Sequence, residues 1–389
     1  MPAIKKPERA PTNPSFSSGP CAKRPGWSNK VLENALVGRS HRAKESLERI
    51  QKVLTVSKKV LEVPKQFRVA IVPASDTGSM ELAMWSLLGA KGVDFFTWEN
   101  FGEQWVIDGQ SQLKPLDCKV IRAPYGHLPD MNSADPNRDC VFVWNGTTSG
   151  VRVPNADWIS SDRTGLTICD ATSAVFSHKL PWEKLDVVTY SWQKALGGEA
   201  GFGMLLLGPR AVERLENFTP SWPIPKIFRI TKKNKLIEGI FRGETINTVS
   251  MLAIEDVLDA LNWVDSIGGA SGMIQRAETN YIAVNNWVER TSWIEFLANN
   301  PEIRSRSTNC LKITDQWFMA FNEKMRWEIV DNIGKILADE GVAFDIVTHR
   351  AASPGLRIWG GGTVESSDLE LLFPWIEWAW NQVCGRHVK

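Results

Sequence analysis

The chain has 389 residues, of which 43% are hydrophobic and 23% charged, as in an ordinary globular protein long enough for two domains. Its 45 Lys and Arg balance 44 Asp and Glu, leaving a formal charge of +1 and no basic excess for nucleic acid. No apolar run approaches a membrane span and no signal peptide is visible, so we expect a cytoplasmic protein that does not bind a membrane. The balanced charge predicts no nucleic-acid partner. The six Cys lack the spacing of a zinc site, and we expect no bound metal.

The first half of the chain alternates between helical and strand-like patterns. Residues 1–16 are polar and rich in proline, which predicts an arm without a core of its own, and apolar residues then recur at helical spacing from about 29 to 63. Seven short β-rich runs follow, with helical stretches such as Ser79–Leu88 between them. They are Phe67–Val72, Val93–Thr97, Lys119–Arg122, Cys140–Trp144, Leu166–Cys169, Val187–Ser191 and Gly203–Leu207. Continuously apolar runs that alternate with helices predict an α/β fold, with a mostly parallel sheet covered on both faces.

The second half is predicted to be helical first and mixed afterwards. Residues 247–300 have room for two helices, with a break at Ile267–Ala270. The α+β region after them has predicted strands at 317–321, 342–347 and 355–359, and predicted helices near 325–340 and 367–384. We therefore expect three parts, namely an arm (1–16), a large domain (17–270) and a small C-terminal α+β domain (271–389). In such folds ligands bind at the carboxyl ends of the parallel strands.

A lysine stands directly beyond one of these strand ends. It is Lys194, in Tyr190-Ser-Trp-Gln-Lys-Ala-Leu-Gly-Gly, and the glycines leave room for its side chain to reach into a cleft. A lysine after a strand is also commonly a solvated surface residue. This segment alone leaves both interpretations open.

An aspartate, Asp170, ends the preceding strand in the same way. Pyridoxal 5′-phosphate chemistry needs such a pair, because a lysine binds the cofactor and moves a proton while a carboxylate pairs with the pyridine nitrogen. Asp170 by itself is equally explained as a cap of the following turn. Together, Asp170 and Lys194 predict a pyridoxal-phosphate site.

Other strand ends carry residues suited to the rest of this cofactor. After Phe67–Val72, hydroxyls and main-chain amides around Asp76 and Thr77 precede a helix and would bind a phosphate, although such residues also cap helices. Phe101 would stack on the cofactor ring, unless it is a core aromatic. Thr147, also after a strand, has a hydroxyl that would reach the cofactor's phenolic oxygen.

Several segments resemble the class V, fold-type I pyridoxal-phosphate-dependent aminotransferases, and among them the phosphoserine aminotransferase family. They are Phe16-Ser-Ser-Gly19-Pro20, Ser40-His41-Arg42-Ala-Lys-Glu45, Gln193-Lys194, Glu244-Thr-Ile-Asn247-Thr248 and His349-Arg350 with Arg357. The chain departs from the family pattern at Ala74–Thr77, where many relatives have a glycine-rich loop with an arginine, and in the spacer between Arg350 and Arg357. These departures indicate a divergent branch of the family.

The resemblance implies a homodimer with its active sites at the subunit interface. The cofactor-binding residues that it implies are Asp76, Thr77, Phe101, Thr147, Asp170, Ser173, Gln193 and Lys194, with Asn247 and Thr248 reaching the neighbouring subunit's cofactor phosphate. Arg357 would bind the substrate α-carboxylate. The residues that would surround the substrate phosphate, some of them from the partner subunit, are His41, Arg42, His349 and Arg350.

The implied reaction transfers the amino group of L-glutamate to 3-phosphohydroxypyruvate, giving O-phospho-L-serine and 2-oxoglutarate in serine biosynthesis. A related reaction on 3-hydroxy-4-phosphooxy-2-oxobutanoate, in pyridoxine biosynthesis, is implied for some family members. An alanine–glyoxylate or serine–pyruvate aminotransferase of the same class is the main alternative, and a non-catalytic protein of the same fold is another. A cysteine desulfurase is disfavoured, because no Cys lies in a flexible, glycine-rich loop.

Overall fold

The computed structural model describes residues 4–114 and 116–387. Its helices are α1 (Lys44–Val60), α2 (Ser75–Leu87), α3 (Asn100–Ser111), α4 (Pro209–Asn217), α5 (Met251–Ser266), α6 (Gly269–Arg290), α7 (Gln316–Met319), α8 (Glu323–Asp339) and α9 (Ser366–His387). Its strands are β1 (Arg68–Pro73), β2 (Val93–Thr97), β3 (Cys118–Arg122), β4 (Asp139–Val143), β5 (Asn145–Gly146), β6 (Val151–Arg152), β7 (Thr167–Asp170), β8 (Val187–Ser191), β9 (Phe202–Leu207), β10 (Thr231–Lys232), β11 (Lys235–Leu236), β12 (Ile294–Phe296), β13 (Thr308–Ile313) and β14 (Gly355–Trp359). None of the helices in these ranges combines the length and the apolar character that crossing a membrane requires.

A seven-stranded sheet forms the centre of the fold, in the order β1-β9-β8-β7-β4-β2-β3. All neighbouring pairs are parallel except those that β9 makes with β1 and β8. Strands β2, β4, β7, β8 and β9 are buried along their whole length, because helices cover the sheet. The predicted fold class and all seven predicted strands are confirmed.

The order of the strands determines where polar side chains meet. Strands β7 and β8 are parallel neighbours, so Asp170, at the end of β7, and Lys194, just beyond the end of β8, lie at the same edge of the sheet. Helix α2 packs on β8 and β9, and α3 packs on β2 and β4. The first turns of both helices therefore lie near the carboxyl ends of the strands.

A second, antiparallel sheet of β12, β13 and β14 lies in the C-terminal part of the chain. The predicted strand at 355–359 is confirmed, but the one at 317–321 is wrong, because the Asp315 carboxylate accepts hydrogen bonds from the Trp317 and Phe318 N–H groups and starts α7. The predicted strand at 342–347 is also wrong, since this segment makes only isolated bridges. The predicted break between α5 and α6 is confirmed at Gly268 and Gly269, both with positive φ.

The N-terminal arm lies along α9, although its first three residues are outside the described ranges. The Trp375 indole N–H donates to the Arg9 carbonyl at 2.8 Å, and the Thr12 N–H donates to the Asp368 carboxylate at 2.7 Å. Beyond the arm, the buried Phe16 accepts a hydrogen bond from the Trp359 N–H at 3.0 Å. This path leads residues 17–20 towards Lys194. The boundaries of the three predicted parts remain a prediction.

Tryptophans account for much of the packing around the second sheet. Trp287 stacks on Phe373 with ring centroids 4.8 Å apart, and Trp293 stacks on Trp380 at 4.6 Å. Three of these four rings are fully buried, Trp293 being nearly so. Aromatic pairs of this kind add to the stability gained from burying their surface.

Candidate active site

Lys194 is held in a tight turn after β8 and has only 9% of its surface exposed. Its Nζ donates a hydrogen bond to the Ser18 carbonyl at 2.5 Å and lies 6.0 Å from the centroid of the Phe101 ring. Burial lowers the pKa of Lys194, and the positive charge of Arg357 lowers it further. Lowering the pKa of an amine raises the fraction of its neutral form, which is the form that acts as a base.

Gly19 lets the N-terminal loop approach the tip of Lys194. Its φ is +146°, and a Cβ at this position would lie 2.7 Å from the Lys194 Nζ. The backbone conformation therefore favours glycine, and a Cβ would displace the tip of the Lys194 side chain.

Replacing Gly19 by alanine should displace the Lys194 amine and lower kcat by about a hundredfold, since a misplacement of about 1 Å has effects of that size. The strained backbone should also lower the free energy of unfolding by about 1–3 kcal/mol. Steady-state kinetics and thermal denaturation measure the two effects. The matched control is Gly341→Ala, where φ is +67° and no atom lies within 4 Å of the added Cβ. An unchanged kcat in Gly19→Ala would contradict the assigned contact.

Asp170, with 8% of its surface exposed, accepts two hydrogen bonds through its carboxylate. The Trp105 indole N–H donates at 3.2 Å and the Thr172 N–H donates at 3.0 Å. The sequence analysis did not identify Trp105, although it stands four residues after Phe101 and so lies on the same face of α3. These two donors fix the position of the Asp170 carboxyl group.

The aromatic ring of Phe101 borders the space in front of Lys194. Phe101 is in the first turn of α3 and is 39% exposed, which is unusual for a phenylalanine in a core. The Glu99 carboxylate positions this turn, because it accepts hydrogen bonds from the Gly102 N–H at 2.8 Å and from the Thr148 hydroxyl at 2.8 Å. Glu99 is a second residue that the sequence analysis missed.

The N-terminus of α2 supplies main-chain N–H groups that have no partner within the helix. Ala74 and Ser75 both have positive φ, 66° and 53°, so the chain turns sharply from β1 into α2. Ser75 and Thr77 line the adjacent cavity, as does Gln193, whose Oε1 is buried and has no hydrogen-bond partner among the described residues. The free main-chain N–H donors at this helix N-terminus suit a phosphate group.

Asp76 belongs to the same helix turn, but its carboxyl group lies beside Asp170 rather than in an exposed anion site. Burial raises the pKa of Asp76 well above its usual value, and the charge of Asp170 raises it further. Its surroundings therefore differ from those of the phosphate ligand that the sequence analysis proposed.

The opposite wall of the cavity carries amide and hydroxyl groups. The Asn145 side-chain amide donates to the Ser173 hydroxyl at 3.0 Å, and that hydroxyl donates to the Asn145 carbonyl at 2.6 Å. Thr147 is buried beside them and also lines the cavity. These groups would face the polar edge of a bound ring.

Arg357 approaches from β14, on the second sheet. It lies opposite Cys310 of β13, and its Nε is buried without a hydrogen-bond partner in the described part of the chain. Burial lowers the pKa of His349, and the charge of Arg357 lowers it further, so the two side chains are close together. A partly buried guanidinium with a free N–H suits a carboxylate.

The remaining predicted substrate and phosphate ligands do not line this cavity. Arg350 is exposed, pairs with Asp331 at 2.8 Å and lies over the Trp327 ring at 4.4 Å. The residues outside the cavity are His41, Arg42, Asn247, Thr248, His349, Arg350 and Arg357. Of these, Arg42 and Thr248 are exposed on the surface of the single chain.

The cavity has a volume of about 280 Å³. The side chains that define it come from the N-terminal loop, α2, α3 and the ends of four strands, and include Gly19, Thr77, Phe101, Thr147, Asp170, Ser173, Gln193 and Lys194. A buried amine at one end, a carboxylate, an exposed aromatic face and a helix N-terminus together fit pyridoxal 5′-phosphate. Polar atoms that line the cavity, among them Asn145 Oδ1, Ser191 Oγ and Gln193 Oε1, lack hydrogen-bond partners among the residues that the structure describes.

Comparison with known proteins gives a full-length match. The phosphoserine aminotransferase of Methanosarcina mazei is 51% identical over 378 residues, which cover 97% of this chain and 100% of that protein. No protein-family model matches the chain.

Solved structures share the fold at lower sequence identity. A phosphoserine aminotransferase from Cytophaga hutchinsonii has a TM-score of 0.78 at 20% identity, covering 94% of this chain and 98% of that one. A pyridoxal-phosphate-bound phosphoserine aminotransferase from Trichomonas vaginalis has a TM-score of 0.73 at 17% identity, covering 95% and 100%.

Proposed function

Because this chain belongs to the phosphoserine aminotransferase family, we propose that it transfers the amino group of L-glutamate to 3-phosphohydroxypyruvate, giving O-phospho-L-serine and 2-oxoglutarate. It is a pyridoxal-phosphate-dependent aminotransferase. The observation that supports this reaction most directly is the meeting of Lys194 and Asp170 at one buried cavity.

When bound, pyridoxal phosphate supplies an aldehyde that takes up the amino group and a ring that accepts the electrons of a carbanion. Lys194 would hold the cofactor and would then take the proton from the α-carbon of the amino acid, a role that its lowered pKa supports. Asp170 would pair with the pyridine nitrogen, with Trp105 fixing the carboxylate. Phe101 would cover one face of the ring.

Substrate binding would involve cationic side chains on β14, just before β14 and just before α1. Glutamate and the phosphorylated keto acid both carry an α-carboxylate and a second anionic group. Arg357 would bind the α-carboxylate through its free N–H groups. His41, Arg42, His349 and Arg350 would take the γ-carboxylate or the phosphate, and 3-hydroxy-4-phosphooxy-2-oxobutanoate is a second candidate for the same pocket.

A homodimer would explain why some of these residues lie outside the cavity of the single chain. Arg42 and Thr248 are exposed, and the large hydrophobic side chains of Val37 and Leu252, close to them in sequence, are exposed as well. Exposed apolar side chains of this kind favour burial in a subunit interface. We also propose a cytoplasmic location, in which the six cysteines would stay as the free thiols that the structure shows.

The substrate assignment predicts a clear preference in kinetics. Wild-type kcat/KM should be far higher with 3-phosphohydroxypyruvate than with glyoxylate as amino acceptor. Arg42→Ala and Arg350→Ala should each lower kcat/KM for the phosphorylated acceptor by about ten- to a hundredfold, because each removes a charged hydrogen bond. Their kcat/KM for glyoxylate should not change, because this parameter reports only the acceptor half-reaction and glyoxylate has no second anionic group to bind.

Mixing Arg42→Ala with Lys194→Ala subunits provides the internal control. If Arg42 serves the neighbouring subunit, mixed dimers should regain activity that neither variant has alone. Equal use of glyoxylate, unaffected by either arginine, would favour an alanine–glyoxylate type enzyme. A colourless protein that gains no visible absorbance with added cofactor would favour a non-catalytic one.

A further inference from the structure

Two carboxyl groups, those of Asp76 and Asp170, line the same cavity and interact with each other. Asp76 is 6% exposed and Asp170 is 8% exposed, so neither is well solvated. Asp170 accepts hydrogen bonds from Trp105 and Thr172, as described above. Both carboxyl oxygens of Asp76, in contrast, lack a hydrogen-bond partner among residues 4–114 and 116–387.

The fold forces this contact. Helix α2 packs on β8 and β9, and β8 is paired with β7 so that Thr189 lies opposite Asp170. The first turn of α2 therefore places Asp76 beside Asp170, Thr172 and Thr189. The hydroxyls of Thr172 and Thr189 are buried and also lack hydrogen-bond partners within the described residues.

Two ionised carboxylates are not stable together in such a place, because like charges repel strongly where little water screens them. The pair therefore holds a proton. Asp170 accepts hydrogen bonds from two N–H donors, whereas Asp76 has only the nearby hydroxyls of Thr172 and Thr189, so the proton is better placed on Asp76. Burial, and then the charge of Asp170, raise the pKa of Asp76, while the Thr172 and Thr189 hydroxyls oppose the shift.

The other titratable groups do not reverse this assignment. Cys169 directly precedes Asp170 on β7. Burial is the main reason why the pKa of the Cys169 thiol is raised well above its usual value. The charges of Lys194 and Glu99 interact with Asp170. A neutral Asp76 also removes a repulsion, because its helix N-terminus is the one that would bind the cofactor phosphate.

We propose that Asp76 carries a proton at neutral pH and donates a hydrogen bond to the Asp170 carboxylate, and thereby acts as a positioning residue for the group that faces the pyridine nitrogen. The protonation state of Asp76 is a property of the cofactor-free protein. The effect of Asp76 on the cofactor, in contrast, rests on the function proposed above. The two parts are therefore tested separately.

Infrared difference spectroscopy of the cofactor-free protein tests the proton directly. Subtracting the Asp76→Asn spectrum from that of the wild type at neutral pH should leave the carbonyl stretch of a protonated carboxylic acid. The matched control is Asp157→Asn, which makes the same chemical change at an exposed carboxyl group. Its difference spectrum should show only an ionised carboxylate. An ionised-carboxylate band for Asp76 would overturn the proposal, whatever the enzyme's substrate.

The stability of the cofactor-free protein should change with pH in a matching way. A carboxyl group whose pKa is raised on folding, here from an ordinary 3.8, stabilises the fold below its unfolded pKa and loses that contribution as the pH rises. The Tm of the wild type should therefore fall more than that of Asp76→Asn between about pH 5 and about pH 8. Parallel curves would contradict a neutral Asp76.

The loaded enzyme tests the hydrogen bond to Asp170. Asparagine also donates to Asp170, so Asp76→Asn should keep kcat/KM within about threefold of wild type, whereas Asp76→Ala should lower it about ten- to a hundredfold. The apparent pKa of the bound cofactor's visible absorbance should shift in Asp76→Ala and return in Asp76→Asn. Equal losses in both variants would show that the charge of Asp76, and not a donated hydrogen bond, matters.

Discussion

Replacing Lys194 by alanine is expected to lower the rate of amino transfer by at least about ten-thousandfold, because the variant would lose the two roles proposed for this residue, covalent anchor and base. The Nζ of Lys194 is the amine that the structure buries between the Ser18 carbonyl and the Phe101 ring. Single-turnover measurements with L-glutamate should show a change in visible absorbance in the wild type and not in the variant.

Lys179→Ala is a suitable control, since Lys179 is exposed and should leave both the rate and the spectrum unchanged. Borohydride reduction followed by peptide mass spectrometry should find the pyridoxyl group on Lys194. A label on a different lysine would remove the basis of the assignment, and so would a visible absorbance that L-glutamate leaves unchanged in the wild type.

Replacing Asp170 by asparagine is expected to have the second-largest effect. The amide keeps the shape but cannot balance a protonated pyridine nitrogen, and breaking a buried charge pair costs about 3–5 kcal/mol. At about 1.4 kcal/mol for each tenfold change in rate, kcat/KM should fall by roughly a hundredfold to a few thousandfold. Both half-reactions should be affected, because the ring accepts electrons in each.

Trp105→Phe is the matched smaller change, because it keeps an aromatic ring and removes only the N–H that donates to Asp170. Its expected loss is about tenfold, the effect of one hydrogen bond to a charged group. The melting temperature of each variant separates a local effect from a loss of folding. A loss in Asp170→Asn no larger than that in Trp105→Phe would argue against a charge partner at this position.

Local sequence patterns were sufficient to predict the strands of the large sheet and the positions at which they end. A strand covered on both faces has to be apolar along its length, and this made β2, β4, β7, β8 and β9 visible as continuous apolar runs. The edge of a parallel sheet is also the expected place for ligands, which directed attention to Asp170 and Lys194. In the C-terminal part, β12 and β13 were missed and two predicted strands were wrong, because short antiparallel strands depend on partners distant in sequence.

The amino-acid sequence by itself determined the fold class and the cofactor, and it singled out Asp170 and Lys194 as the residues proposed to hold that cofactor, since each of these depends on short motifs in the chain. Only the tertiary structure decided which side chains surround them. Trp105 reaches Asp170, Asp76 lies beside the same carboxylate, and Arg350 pairs with Asp331. These contacts depend on how α2 and α3 pack on the sheet and how α8 lies beside β14, and such long-range packing leaves no signal in the local sequence.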